Sequence, residues 1–319
     1  MSLTGGPDAR APLALGAETT ILAKPSSLRK DTVRNILRQR SAVVGLSLLG
    51  FLLLVAILAP VIAPYDPITS MLDLGQPGTR GTAPCVHLLG CPVDQPQHLM
   101  GLDSNIRDEF SRVVFGARVS LLIGFVTVGF AIVLGTTIGA VAGFAGGALD
   151  NVLMRIMDVM LSFPSLILAI AIVTVLGPSL VNGMVAIGIV SIPVYARVMR
   201  ASVLSVRETD FVTASRALGE SSTGILVRRI MPNALTPLIV QGTLGIGGAI
   251  LEVAALSFVG LGASPPLAEW GAMIAGDRNL FFSAPHLIFF PGIAITMSVL
   301  AFNLIGDGLR DALDPRLNR

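Results

Sequence analysis

Lysine is nearly missing from this sequence. Of 319 residues only Lys24 and Lys30 are lysines, and neither follows a G-x-x-x-x-G run. The phosphate-cradling loop of nucleotide hydrolases needs its lysine there, so that motif is excluded. Histidine is as scarce: His87 and His98 fall in one polar insert, and His286 stands at the edge of an apolar run. A Ser–His–acid triad is therefore disfavoured. Cysteine stops at Cys85 and Cys91. The chain is expected not to be an enzyme, and to bind no metal and no cofactor of its own. Charge is thin too, at 13% Asp, Glu, Lys and Arg, against about 25% in an ordinary soluble domain. Work against a gradient would have to draw on a partner or on coupled ions.

What fills the chain is apolar: 53% of residues are hydrophobic and mean hydropathy is +0.78. The apolar residues gather near 42–64, 119–144, 157–177, 180–196, 236–262 and 286–306. Each run is about 17–27 residues, enough for a helix to cross roughly 30 Å of hydrocarbon. In lipid the backbone must satisfy itself within each segment, so helices are the default. The expectation is an all-α polytopic membrane protein with six transmembrane helices. The fourth run, "LVNGMVAIGIVSIPVYA", is short and holds Asn182 and Pro193.

Six spans put both termini on one side, and the basic residues say which. Seven lie in 1–41, one in 145–156, six in 197–235 and three in 307–319, 17 of the 22 in all. The positive-inside rule places these segments in the cytoplasm. The resulting division is a cytoplasmic segment 1–41, a first helix 42–64, an extracytoplasmic insert 65–118, a transmembrane core 119–306 with a cytoplasmic loop 197–235, and a cytoplasmic tail 307–319. No cleavable signal peptide is expected, because the first apolar run begins only at Ala42 and exceeds the 7–15 residues of a signal core. "SSLRKDTVRNILRQR" (26–40) fits either a basic interfacial helix, with Leu28, Val33, Ile36 and Leu37 in the headgroups, or a solvated flank.

The insert contains "TAPCVHLLGCPVDQPQHLMG". Its cysteines face the oxidising side, so a Cys85–Cys91 disulfide is expected, worth about 2 kcal/mol on the chain-entropy model. Metal binding with His87 and His98 is the sharper alternative, but the spacing matches no standard zinc pattern. Within the spans, Gly135, Gly139 and Gly143 share one helix face and suit close packing, within the chain rather than with a second subunit. "VQGTLGIGGAI" (240–250) repeats the theme. Glu252 is the acidic residue well inside a span, a gate or pathway candidate against the plainer reading of a helix-to-helix hydrogen bond. Asp150, Arg155, Asp158 and Pro164 enclose the inner start of the third span. Arg155 and Asp158 are i,i+3 neighbours able to pair, and Pro164 is expected to bend the helix.

"TASRALGESSTGILVRRIMPN" (213–233) cannot sit in lipid. Residues 207–219 suit a short helix closed by Gly219. Ser221 or Ser222 then caps a second helix, carrying Ile225, Leu226 and Ile230 and stopping at Pro232. A connector needs only a few residues, so a loop of this length with its own helices points to docking.

The pattern Thr213, Ala214, Ser215, then Gly219, then Pro232, resembles the EAA loop of ABC-importer permeases. "HLMGLDSNIRDEFSRVVFGARVSLLIG" (98–124), "LSFVGLGASPPLAEWGAMI" (256–274) and "FNLIGDGLRDALDPRL" (302–317) resemble the C-type permease subunit of the dipeptide, oligopeptide and nickel importers. The resemblance covers residues 98–317. It implies a type I ABC importer transmembrane domain forming half of the passage for peptides or a similar small solute. It also implies a second homologous permease, two ATPases that carry ATP and Mg, an extracytoplasmic solute-binding protein, and a place in the inner membrane. Thr213, Ala214, Ser215, Ala217, Leu218, Gly219 and Pro232 would couple the chain to an ATPase. The sequence departs from the family at Thr213 and Ser215, where Glu and Ala are usual, at Arg229, often histidine, and at Ile106, usually glycine. An ion-coupled transporter or channel would instead predict inverted repeats and several midplane charges, of which only Glu252 is present. A scaffold without conduction would need the docking loop alone.

Overall fold

A computed structural model describes residues 36–313. Most of the basic segment 26–40 and the end of the tail, 314–319, lie outside these residues. Among the described residues no strand forms, and two isolated antiparallel bridges, Cys85 to His98 and Leu102 to Asp108, are the only β pairing. The principal helices are α1 (Arg40–Ile62), α2 (Glu109–Ala145), α3 (Gly147–Leu161), α4 (Ser165–Leu176), α5 (Leu180–Arg207), α6 (Asp210–Ala217), α7 (Thr236–Phe258), α8 (Trp270–Asp277) and α9 (His286–Leu313). Five of them, α1, α2, α5, α7 and α9, are long and apolar enough to cross a membrane, and the bent pair α3–α4 supplies a sixth span if counted as one.

That pair corrects the third expected span. Residues 157–177 are not one bent helix: the chain breaks at Ser162–Pro164 and turns by 93°. Pro164 has no N–H and keeps Phe163 from continuing an α-helix. Ser162 N bonds back to Asp158 O and Val159 O, and the ladder restarts with Leu168 N on Pro164 O at 3.0 Å. The 12 residues of α4 rise about 18 Å, roughly half the hydrocarbon thickness.

Three helices, α2, α5 and α9, go on beyond their apolar runs, because hydropathy marks lipid and not the helix's own end. Asp108 caps α2 by accepting from Ser111 N at 2.8 Å, so the helix starts ten residues before the run at 119. The fourth run is the middle of α5, whose first turn is capped by Ser179. Asn182 stitches that turn to the end of α4 by donating to Leu176 O and Gly177 O.

The core centres on α2 against α5, which run parallel. A Cβ on Gly135 would meet Ile192 O at 2.9 Å, one on Gly143 would meet Arg200 O at 2.9 Å, and one on Gly139 would overlap Ala196 O. The glycine face is thus consumed inside the chain. In α7, Gly245 is overlain by the Tyr195 hydroxyl and Gly247 lies against Val299. Helix α1 packs on α9 through Gly45 against Ala301 O and through Gly308 against Ala42.

The insert folds over the N-terminal end of α2. Cys85 and Cys91 are disulfide-bonded with Cα atoms 5.4 Å apart. The imidazoles are engaged elsewhere, although the His98 backbone bridges to Cys85: His87 Nε2 meets Gln95 O at 2.8 Å, and His98 Nδ1 meets Asp108 Oδ1 at 3.0 Å. Ile106 holds φ +60°, a left-handed conformation that costs a non-glycine residue about 1–2 kcal/mol. Asp103 fixes this turn by accepting from Asn105 N and Arg107 N at 2.8 Å each and from Arg107 Nε at 2.7 Å.

Candidate functional site

At the other end of α2 and α5 the chain forms an elbow. Helix α6 ends in a Schellman motif: Gly219 N donates to Arg216 O at 3.0 Å, and Glu220 N to Ser215 O at 3.2 Å, with Gly219 at φ +81°. Reversal of the chain there needs the left-handed conformation glycine adopts freely. Ser221 caps the second arm by accepting from Gly224 N at 3.2 Å. Glu220 Oε2 takes Arg229 Nε at 2.9 Å and clasps the two arms together.

Pro232 does not stop the second arm. The arm is α-helical over Ser222–Gly224, π-helical over Ile225–Ile230, and α-helical again over Met231–Ala234. A wider π turn spares the helix the clash of a proline ring with the carbonyl four residues back. Proline therefore shifts the bonding register here instead of ending it.

The elbow has two faces. Val212, Ile225, Ile230 and Ala234 are buried against Ala140, Met199 and Val203, which roots it on α2 and α5. Thr213, Ala214, Ala217, Leu218, Gly219 and Pro232 are exposed, and Ser215 is half-buried. Leu218 at the tip is 88% exposed, with Val227 and Phe211 also open. Leu218 is the part sequence reasoning undervalued, because motif matching weighs the glycine and not the large apolar side chain beside it.

Arg155 and Asp158 do not pair. Asp158 Oδ1 binds Arg197 Nη2 of α5 at 2.5 Å. Asp150 is gripped by both Nε and Nη2 of Arg200, each at 2.6 Å. The i,i+3 spacing made the local pair available, but Arg197 on the facing helix takes Asp158 instead. Arg155 and Asp158 instead line an open groove of about 480 Å³ with Asn151, Val152 and Met154.

Glu252 stands six residues from the end of α7. It is half-buried, and its Oε1 accepts from Ser165 Oγ at 3.2 Å, at the first residue of α4. The half-length helix thus begins where the half-buried carboxylate sits. Ser165 gave no sequence signal of this role, since only the 93° break brings it there.

Residues 135–319 match the family model described as the binding-protein-dependent transport system inner membrane component. Residues 27–77 match the N-terminal TM domain of oligopeptide transport permease C. The dipeptide transport system permease protein DppC of Alkalihalophilus pseudofirmus is 44% identical over 90% of both chains. The di/tripeptide transport system permease protein DppC of Pseudomonas aeruginosa is 43% identical over 93% of this chain and 94% of that one. The glutathione transport system permease protein GsiD of Pectobacterium atrosepticum is 39% identical over 89% and 90%. An inward-facing structure of the MetNI methionine ABC transporter aligns with 64% of this chain and 98% of its own, at 20% identity and a TM-score of 0.54. With a family model over more than half its length and relatives above 40% identity, the chain belongs to the C-type permeases of the ABC importers, the inner-membrane components of binding-protein-dependent transport systems.

Proposed function

We propose that this chain forms one half of the passage of a peptide importer in the inner membrane, beside a second homologous permease. Both termini and the elbow lie in the cytoplasm, and residues 65–118 face outward to an extracytoplasmic solute-binding protein. Two ATPases hold ATP and Mg, and one receives residues 207–232, with Thr213, Ala214, Ser215, Ala217, Leu218, Gly219 and Pro232 at the contact. The observation that carries this reading is an apolar tip, Leu218, 88% exposed on an elbow whose opposite face is anchored in the core. Peptide as cargo is inferred from the relatives; a free apolar tip is what a partner's groove buries best.

Topology mapping tests the arrangement. With Cys85 and Cys91 replaced by serine, a single cysteine at position 222 should resist a membrane-impermeant maleimide in intact cells and react once the inner face is opened. Labelling in intact cells would put the elbow outside and end the proposal.

Glu252 and the groove beside Arg155 and Asp158 are assigned to the passage. A half-buried carboxylate tied to α4 by one hydroxyl can exchange that bond for a passing amide or ammonium group. Glu252→Gln is expected to cut uptake at least about tenfold, an interaction loss of roughly 1.4 kcal/mol, with complex assembly unchanged. Wild-type uptake by the variant would leave Glu252 a helix fastener only.

A further inference from the structure

Three carboxylates from separate parts of the chain meet where the insert covers α2: Asp103 from the insert, Glu109 opening α2 and Asp277 closing α8. One oxygen of each lies within 4.8 Å of the others, and all three residues are buried. Acidic clusters alone signify little. Glu109 sets this one apart: it is 0% exposed, and both of its carboxylate oxygens are buried without a hydrogen-bond partner. An ionised carboxylate left so is among the costliest groups a fold can hold.

The neighbouring charges do not meet the need. Arg107 spends Nε and Nη2 on Asp103, each at 2.7 Å. Arg112 Nε lies 3.4 Å from Asp103 Oδ2, while its Nη1 donates to Pro67 O and Pro266 O. Asp108 is matched by His98 and by the Ser111 N–H and hydroxyl. Asp277 is met by Ser104, through its N–H at 3.0 Å and its hydroxyl, and neither it nor Glu109 has an ion-pair partner among the described residues. Both guanidiniums are spent on Asp103, so Glu109 and Asp277 are two carboxylates with no cation bonded to them.

We propose that Glu109, Asp277 and Asp103 hold one divalent cation, calcium by fit, which pins the insert and α8 to the start of α2. One such ion would serve both carboxylates that lack a bonded cation. The donors are all oxygens, the preference of calcium and magnesium rather than zinc. A shell of about 2.3–2.6 Å Ca–O bonds allows opposite ligands up to roughly 5 Å apart, while the tighter magnesium octahedron stops near 4.2 Å. The ligand set favours the larger ion: three carboxylates of one chain meet here, whereas magnesium keeps several waters and usually takes only one or two carboxylates. The oxygens of Asp103 are already engaged, so Glu109 and Asp277 supply the principal bonds. This site departs from the expectation of a chain without metal. Its exposure to the outside rests on the orientation proposed above, but its existence does not.

The test is calorimetric titration of calcium chloride into the full-length, detergent-solubilised chain after chelator treatment, with melting scans in parallel. One ion per chain and a rise in melting temperature are expected. Glu109→Gln and Asp277→Asn should each weaken binding at least about tenfold. In chelator, Glu109→Gln should melt no lower than wild type, because an amide needs no counter-charge. Absence of heat and melting shift in the wild-type chain at millimolar calcium would overturn the site and leave Glu109 a buried acid that keeps its proton. Undiminished binding by both variants would also overturn it, and magnesium chloride binding as tightly would overturn the assignment to calcium. Detergent removes sidedness, so a negative titration condemns the site and a misplaced maleimide label condemns only the topology.

Discussion

Leu218→Asp is expected to strip the ATPase from the purified complex while the two permease subunits stay together. The side chain is 88% exposed, so its replacement leaves the chain's own stability within about 0.5 kcal/mol. The buried footing, Val212, Ile225 and Ile230, is untouched, and the elbow keeps its shape. Burying a leucine side chain in a partner's groove is worth about 2 kcal/mol, so its removal is roughly a 30-fold loss of affinity. The carboxylate adds a desolvation cost in any groove that accepted leucine. Quantifying ATPase against permease after affinity purification, together with uptake, checks this. Gly219→Ala sharpens the result: nothing lies within 4 Å of the new methyl, but φ +81° makes alanine strained by about 1 kcal/mol, so docking should weaken through a re-aimed tip. Retention of a full complement of ATPase by Leu218→Asp would show that the elbow is not where the ATPase binds.

Gly139→Leu should abolish the folded chain. The added Cβ would overlap Ala196 O and approach Met199 Cβ to 2.9 Å, and the rest of the side chain has nowhere to go. Parting α2 from α5 to make room would also release the close backbone contacts at Gly135 and Gly143. In lipid, where helices associate by close packing alone, a loss of about 3 kcal/mol or more follows. Gly129→Leu is the matched control, in the same helix with nothing within 4 Å of its Cβ. Size-exclusion profiles of a fluorescently tagged chain measure both. Equal monodisperse yield from the two variants would refute the packing argument.

How much of this was readable from residues alone depended on whether the cause was local. The apolar runs located the spans because lipid acts on every residue separately, and the elbow was visible because glycine and serine at fixed offsets specify a cap and a turn. Gly135, Gly139 and Gly143 announced a close contact but not its partner, which needed Ile192, Ala196 and Arg200 in space. Asp158 was misassigned to Arg155 because spacing along one helix says nothing of Arg197 on the next. Pro232 was misread as an end because the π register that absorbs it depends on Ile225 and Ile230 being held in the core. Glu109 and Asp277 drew no notice, since 168 positions separate them in sequence and only the folded insert brings them together.

The break at Ser162–Pro164 has a mechanical meaning. A straight rod passes a push along its own axis, whereas a right-angled bracket turns the push into torque. Helix α3 is bolted to α5 through Asp150–Arg200 and Asp158–Arg197, and α4 is tethered to α7 at Ser165–Glu252. A tilt of α5 relative to α7 would therefore load the one bond at Ser165, and α4 would either swing about its base, like the short arm of a crank, or let that bond go.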